Sequence, residues 1–387
     1  MNDVIIIRQS GGLGRVDASV DAVSGLVTTG SPIVGGMQNG TNYMLRSVAD
    51  AEALGITKLN DVTTEEIIWY HIDDFFHIAP KGTLYLRVAA LATSAVDLID
   101  EVEVLSTAAE GKISQFAIAY NGPMVAGSHA YLPLIPILQT LATKFATEHK
   151  PAHMLLEGFG FSILGHSNLR ALNCPDVSVV IAQTKSQFDI MPTACAIGLA
   201  LGAVAKAAVN EHIGWVKKFN MLGGSASEIY LNGQPIQNSS VTNQGVLTDK
   251  GFVFLKTHIG LAGFYWNETS TCTLITDDFA YIENVRTINK AIRIVRKTLL
   301  PDLNSPISIN PTTGQIAAIV LASLQAKVGK AIVDEMETAG EISGFIFKIA
   351  PGQNILVSSE LACELEIIPT GTARKIVTTI KFFNPFA

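Results

Sequence analysis

The chain has 387 residues, enough for two domains of ordinary size or for one large domain with an inserted lobe. Apolar residues make up 48% of the sequence and charged residues only 16%, which indicates either a large core or surfaces buried against other subunits. A formal net charge of −7 argues against nucleic acid as a main partner, because phosphate binding needs a basic surface.

The N-terminal segment opens with a short β-type run, and glycines follow at positions 11, 12 and 14. The run consists of four consecutive apolar residues, Val4, Ile5, Ile6 and Ile7. This pattern predicts a strand on a flexible segment, an N-terminal arm over residues 1–25. The apolar run is too short for a signal peptide or a spanning helix, so we expect synthesis in a cytoplasm. The four cysteines lie far apart in sequence, which fits a reducing compartment and predicts neither a disulfide framework nor a zinc site.

Residues 26–270 predict an α/β body. Residues 26–46 are rich in Gly, Ser, Thr and Asn and predict turns and short strands. Helix patterns then alternate with strand patterns, which is typical of a layered, mixed α/β fold. The predicted helices are Leu45–Gly55, Ile67–Ile78, Ala95–Ala108, Tyr131–Glu148 and Thr193–Val209; the predicted strands are Thr83–Leu91, Ile113–Ala119, His153–Glu157, Val177–Ala182, Phe252–Leu255 and Thr271–Ile275.

Residues 271–375 predict a C-terminal domain, and residues 376–387 a C-terminal arm. Two long helices, Phe279–Leu299 and Gly314–Ala339, precede closing strands at Phe345–Ala350 and Cys363–Pro369. A last strand is predicted from alternating apolar positions, over Ile376, Val377, Thr378, Thr379, Ile380, Lys381 and Phe382. A terminal strand either pairs within its own body or is donated to a neighbouring sheet, and the sequence leaves both open.

The helix Phe279–Leu299 carries a basic stripe opposite its apolar face. Arg286, Lys290, Arg293 and Lys297 recur at intervals of three or four residues, so they share one side of the helix. Such a stripe is either a solvated face or a surface that docks on an acidic protein.

Three motifs raise enzymatic alternatives. The glycines at 11, 12 and 14 lack the G-x-G-x-x-G spacing of a dinucleotide site, and Gly165-His166-Ser167 lacks the second glycine of a nucleophile elbow. Cys195 lies near a predicted helix start, in a Thr-Ala-Cys-Ala string similar to the nucleophile segment of thiolase-type enzymes; the alternative is a small core residue. The scattered histidines and adjacent acids predict no metal site or acid–base pair. No catalytic, cofactor-binding or metal residue is therefore predicted.

Several segments occur in an order that identifies a family. Leu45-Arg46-Ser47 leads into a short helix ending Leu54-Gly55-Ile56, and Ile67–Phe76 ends in paired phenylalanines before a strand that contains Arg87. An Ala/Gly-rich helix runs from Ala196 to Gly214-Trp215, and Tyr281 precedes Asn284-Val285-Arg286 at the start of a long helix. This order resembles the tail sheath proteins of contractile phages and phage-derived injection systems, most clearly in the last third of the chain.

The resemblance implies a structural subunit, not an enzyme, that stacks as six-fold rings into a helical sheath and contracts to drive an inner tube through a target envelope. It implies terminal arms woven into neighbours' sheets and a C-terminal helix against the tube, which makes Arg286, Lys290, Arg293 and Lys297 the candidate tube contact. The implied partners are copies of the chain, the inner tube, the baseplate and the tail terminator, without direct nucleic-acid or membrane contact. The particle would be assembled in a bacterial cytoplasm, as a virion tail or a released particle. A thiolase-like enzyme using Cys195 and another tail protein, such as a tube, remain the alternatives.

Overall fold

The computed structural model describes residues 20–383. The strands are β1 (Val23–Gly30), β2 (Asn42–Leu45), β3 (Thr83–Ala90), β4 (Gln115–Ile118), β5 (His153–Glu157), β6 (Val177–Val180), β7 (Gln183–Thr184), β8 (Ile229–Leu231), β9 (Gln234–Pro235), β10 (Phe252–Val253), β11 (Leu255–His258), β12 (Leu261–Trp266), β13 (Ile342–Ile349) and β14 (Cys363–Pro369). The helices are α1 (Val48–Ala53), α2 (Lys58–Thr64), α3 (Trp69–Ile78), α4 (Leu98–Ala108), α5 (Leu134–Thr147), α6 (Lys185–Phe188), α7 (Ile197–Lys206), α8 (Val241–Asp249), α9 (Ile282–Leu299), α10 (Ala318–Ile332) and α11 (Ile355–Ser358).

The predicted N-terminal strand lies outside the described residues. It comprises Val4, Ile5, Ile6 and Ile7, all of which precede residue 20. The strand and its role as an inter-subunit arm therefore stay predictions.

A seven-stranded sheet forms the centre of the molecule, in the order β10-β6-β5-β4-β1-β3-β2. Neighbouring strands run parallel, except that the edge strand β2 is antiparallel to β3. All residues of β4, β5 and β6 are buried, so both faces of the sheet are covered there, as parallel sheets require. Helices α4, α5 and α7 pack on these strands. The predicted mixed α/β class is confirmed.

The central strand β1 is longer than the turns and short strands predicted for residues 26–46, because Ser24, Gly25 and Gly30 interrupt its strand-forming Val and Thr residues. Its register against β3 is fixed from Val23 opposite Thr83 to Gly30 opposite Ala90. A Cβ at Gly25 would lie 2.6 Å from the Phe116 ring, so the ring packs directly on the glycine backbone. Tertiary packing therefore selects a glycine where strand propensity alone disfavours one.

Helices α3 and α7 approach each other backbone to backbone. A Cβ at Gly198 of α7 would lie 2.2 Å from the carbonyl oxygen of His71, and one at Gly202 would lie 2.9 Å from that of Phe75. The two glycines are four residues apart and share one face of α7, so they let the helices pack at a distance that any side chain would prevent.

The C-terminal part of the chain has its own apolar cluster. Helix α9 begins in the main core at Ile282 and continues into a second cluster that contains Ala291 and Ile294. In that cluster α9 and α10 pack on one face of the antiparallel hairpin formed by β13 and β14, which we call the C-terminal hairpin. The predicted strand Thr271–Ile275 is wrong: only one isolated bridge, from Cys272 to Cys174, forms there.

Candidate assembly surfaces

Three of the four residues of the basic stripe on α9 face the central body instead of solvent. Arg286 is 4% exposed, and its guanidinium donates to the carbonyl oxygens of Ala207 at 3.2 Å and Asp21 at 3.3 Å. Burial lowers the pKa of Arg286 to about 10, while the carboxylates of Asp21 and Glu341 oppose the shift. The arginine therefore stays charged at neutral pH and is satisfied inside the subunit.

Two further residues of the stripe complete this contact. Lys290 places its Nζ 2.8 Å from Asp21 Oδ2 and 2.6 Å from Glu341 Oε2. Arg293 donates to Ser114 Oγ at 2.6 Å and to the Pro151 carbonyl at 2.6 Å. We call Arg286, Lys290 and Arg293, together with these partners, the polar seam. It fastens α9 to the residues that precede β1, β4 and β5.

The polar seam corrects the sequence interpretation. Arg286, Lys290 and Arg293 are engaged within their own subunit, so the prediction that they form an exposed tube contact is wrong. Lys297 is different, because its side chain is 79% exposed and its Nζ lies 3.8 Å from Glu335. Helical spacing identified one face correctly, but it does not say which element covers that face.

The C-terminal hairpin exposes both of its outer edges. Strands β13 and β14 pair only with each other among residues 20–383, from Ile342 opposite Pro369 to Ile349 opposite Cys363. On the outer face Ile346 and Ile368 are 44% and 53% exposed. A two-stranded sheet of this length offers two rows of unpaired amides and carbonyls, which is a template for further strands.

An apolar groove of about 460 Å³ lies between α9 and β14. Leu300 and Leu303, just beyond the helix, are 50% and 68% exposed. We call this the α9–β14 groove; its apolar lining is Ile288, Ala291, Ile292, Val295, Leu299, Leu300, Leu303, Leu365 and Ile367. Because Leu365 and Ile367 belong to β14, the groove adjoins the strand whose outer edge is unpaired.

The C-terminal segment is exposed beyond Arg374. The structure assigns no strand to Ile376–Phe382, so the prediction of a strand is wrong within a single chain. Ile380 is 90% exposed and Phe382 fully exposed. A strand exists only when a partner supplies its hydrogen bonds, and no described element of this chain does so here. Donation of this segment to another subunit stays a prediction.

The residues of the enzymatic alternative are packed as core. Cys195 is 2% exposed, and burial, followed by the nearby carboxylate of Glu157, raises the pKa of its thiol well above the ordinary value. A reactive cysteine needs the opposite shift. Ligands of doubly wound sheets bind where strand order reverses, here between β1 and β4. That crevice is filled by Asn121, which donates to the Thr29 carbonyl at 2.7 Å and accepts from the Ile67 amide at 2.8 Å.

Neither a spanning helix nor a metal cluster occurs in the described part of the chain. No helix within residues 20–383 is long and apolar enough to cross a membrane. Over the same residues, no three His, Cys, Asp or Glu side chains converge as metal ligands.

Comparison with known families adds to this geometry. Residues 1–270 match the DUF2586 N-terminal domain, and residues 278–387 match the DUF2586 C-terminal domain. The chain belongs to the DUF2586 family. A comparison with curated proteins gives no match to this DUF2586 chain.

Solved structures resemble the DUF2586 chain over nearly its whole length. The helical sheath of the anti-feeding prophage (AFP) in its contracted state is 16% identical, with a TM-score of 0.65 and 98% of both chains covered. The contracted PVC sheath of an extracellular contractile injection system is 12% identical, with a TM-score of 0.63 over 98% of this chain and 97% of that one. The sheath tail protein of Desulfitobacterium hafniense is 10% identical, with a TM-score of 0.53 and coverages of 95% and 100%. The predicted resemblance to tail sheath proteins is thereby confirmed at the level of the fold.

The sequence of this chain does not reveal the surfaces that depend on tertiary packing. The α9–β14 groove brings together Ile292 and Leu365, which are more than 70 residues apart in sequence. The apolar periodicity of α9 and the alternation of β14 were each visible, but their juxtaposition was not. The unpaired edges of the C-terminal hairpin could have been found, since two predicted strands followed by a third without a partner point to an incomplete sheet.

Proposed function

We propose that this DUF2586 chain is the sheath subunit of a contractile particle. Its copies would stack as six-fold rings around an inner tube and contract to drive that tube through a target envelope. The fold that it shares with the AFP and PVC sheaths over 98% of its length supports this proposal. The observation that carries it is a chain that presents an unpaired terminal segment and, on the same molecule, a two-stranded sheet with open edges.

The two features are complementary. In an extended strand over residues 376–382, Ile376, Ile380 and Phe382 would share one face with Thr378, and the seven residues match the seven of β14. If the segment from one copy pairs with the outer edge of β14 in the next, one of its faces covers the α9–β14 groove and its main chain completes the ladder. The proposed donor for the other edge is the N-terminal run of Val4, Ile5, Ile6 and Ile7. Weak contacts repeated in every copy then hold the lattice together while the bodies rotate.

The division of the subunit follows from this arrangement. Residues 26–270 form the proposed outer body and residues 271–375 the tube-facing domain, between arms at 1–25 and 376–387. Of the original stripe, Lys297 remains as a proposed tube contact, since it alone of the four is largely exposed. The other proposed partners are the baseplate and the tail terminator, and a chain in the structure of the AFP baseplate has a similar fold, with a TM-score of 0.66. Assembly would take place in a bacterial cytoplasm, as part of a virion tail or a released particle.

A truncation series tests the proposal. The full chain, a variant lacking residues 376–387 and a matched control lacking only 384–387 are each co-expressed with the inner tube and examined by negative-stain microscopy. We expect hollow tubes, wide enough to enclose another tube, from the full chain and the control. The 376–387 deletion should give folded, unassembled subunits with an unchanged circular dichroism spectrum, because the removed strand pairs only between copies.

Three results would count against the proposal. Normal sheaths from the 376–387 deletion would remove the role of the arm. Narrow tubes without an enclosed tube would favour a tail-tube protein instead. Rapid, selective alkylation of Cys195 by iodoacetamide in the folded chain would favour the thiolase-like alternative, and its burial leads us to expect slow labelling.

A further inference from the structure

Arg374 holds the first part of the C-terminal segment on the body. Its Nε lies 3.3 Å from Glu268 Oε1, and its Nη2 contacts the carboxylate of Glu283. The guanidinium carbon lies 3.5 Å from the ring centroid of Tyr281, which is stacking distance. We call these four residues the Arg374 clamp. An arginine suits it because its flat guanidinium stacks and binds two carboxylates at once.

The Arg374 clamp is partly buried, unlike a salt bridge on the open surface. The side chains of Glu283 and Glu268 are 4% and 13% exposed, whereas that of Arg374 is 28% exposed. Glu268 is also 2.6 Å from His212 Nε2. Burial opposes ionisation of Glu268, but His212 and Arg374 outweigh it and lower its pKa to about 2. The carboxylate that receives Arg374 is therefore charged throughout the physiological range.

Helix α9, which carries Glu283, also binds the N-terminal segment close to the point where that segment meets the body. Glu283 of the clamp and Lys290 of the polar seam are seven positions apart on α9, about 11 Å along its axis. Lys290 binds Asp21, near the beginning of the described chain, and Arg374 lies at the start of the exposed C-terminal segment. Both ends of the described chain are thus fastened to one rigid element, at positions about two turns apart.

We propose that Arg374 is a positioning residue that fixes where the C-terminal arm leaves the subunit, and that α9 is the common root of both arms. This inference rests on the proposed function, because an arm matters only if it reaches a neighbour. Beyond the clamp, residues 375–383 are exposed. Residues 375–382, which carry the predicted strand, span at most about 28 Å when extended, so the exit point restricts which edges this strand can meet.

Spin-label distance measurements on the unassembled full chain test this proposal. Cys363 at the start of β14 is the exposed native cysteine of the described residues, and a second label enters through Val377→Cys in the arm. With the clamp intact, three residues, 375–377, are free beyond the anchor up to the label. In an Arg374→Ala background the next attachment is Thr370, whose hydroxyl accepts from Asn210 at 3.0 Å, so seven residues become free.

The distance distribution should therefore widen by about 1.5-fold in the Arg374→Ala background, since coil dimensions scale with the square root of length. The matched control Lys375→Ala removes the neighbouring, exposed cation and should leave the width unchanged. If the alanine variant does not fold, Arg374→Gln replaces it with the same prediction. Equal widths with and without Arg374 would overturn the clamp.

Sheath yields of the variants distinguish a failure of this inference from a failure of the proposed function. The wild-type chain and Lys375→Ala should form sheaths with the inner tube, and Arg374→Ala should form several-fold fewer. If the wild-type chain forms no sheath, the proposed function fails, while the distance widths still decide whether Arg374 holds the arm. If Arg374→Ala assembles at the wild-type yield, the positioning role is overturned even when the widths differ.

Discussion

The central sheet ends in short edge strands, β2 with four residues and β10 with two, whereas the C-terminal hairpin has strands of eight and seven residues whose outer edges are unpaired. The inner strands of the central sheet are buried on both faces, while the hairpin packs only one face on α9 and α10. Short edges resist pairing with other chains, and long open ones invite it. One chain thus contains a central sheet that supplies stability and a hairpin whose long unpaired edges suit it to assembly.

The largest expected effect comes from a substitution that blocks the proposed pairing of the arm with the C-terminal hairpin and leaves the central sheet unchanged. Thr378→Pro removes an amide donor and fixes φ near −65°, so the arm can no longer complete a ladder. We expect sheath assembly to be lost while the unfolding free energy of the subunit changes by about 0.5 kcal/mol or less. Sedimentation of assembled particles and urea unfolding measure the two quantities.

Thr378→Val is the matched control, because it keeps the amide and the branched side-chain shape. It should assemble like the wild type. Equal assembly by the proline variant would show that residue 378 is not part of an intermolecular ladder.

Truncation of a core side chain tests how much the central sheet contributes to stability. Phe116 on β4 is fully buried, with its ring 5.9 Å from that of Phe145. Phe116→Ala should lower the unfolding free energy by about 3–5 kcal/mol, from lost burial and the cavity left behind. Ile346→Ala on the outer face of the hairpin should cost about 0.5 kcal/mol or less in the unassembled subunit. Similar costs at both positions would contradict the contrast between the two sheets.

The polar seam joins the central body to the C-terminal part of the chain, and a substitution at Arg286 tests its contribution to stability. Arg286→Ala leaves buried carbonyl groups, including that of Ala207, without their charged donor, so we expect a loss of about 2–3 kcal/mol. Lys297→Ala, at the far end of the stripe and largely exposed, should change stability by about 0.5 kcal/mol or less. Chemical denaturation measures both. Equal effects would mean that the seam contributes no more than a solvated face.

The smallest effect is a pH dependence that arises from buried acids of the central body. Burial raises the pKa of Glu157 to about 8 from its ordinary value of 4.5, and those of Asp61 and Asp74 to about 7. The folded state therefore holds protons that the unfolded state has released, and stability falls as pH rises through the folded pKa. Burial lowers the pKa of His71 and His153 to about 3, which favours higher pH only below about 6.5, so the acids dominate above that value.

Between pH 6.5 and 8 the contribution of Glu157 should cost about 1–2 kcal/mol. Urea titrations at several pH values measure the slope, and Glu157→Gln should flatten it. Glu366→Gln, which removes an exposed acid of the hairpin paired with Lys348, is the control and should leave the slope unchanged. A slope that survives Glu157→Gln in full would assign the dependence to other groups.

The sequence predicted most of the long elements but not what covers them. Strands β3 to β6 and helices α3 to α5 follow clear periodicities, whereas β1 depends on the fit of Gly25 beneath Phe116, a contact between residues 91 positions apart. The stripe on α9 was located correctly and assigned to solvent or a partner, because spacing along a helix contains no information about Asp21 or Ser114. The alternation at Ile376–Phe382 predicts a strand, but its partner is not within the described chain.

Helix α9 has 18 residues and runs about 27 Å without a break from the main core into the hairpin cluster. Its first half is fastened to the central body by buried charges, and its second half is packed under the strands that would receive other copies. A pull on the hairpin is therefore transmitted to the central sheet along a stiff rod, with no joint in between. In the proposed sheath, a rearrangement of the lattice would therefore bend the terminal arms and leave each body intact.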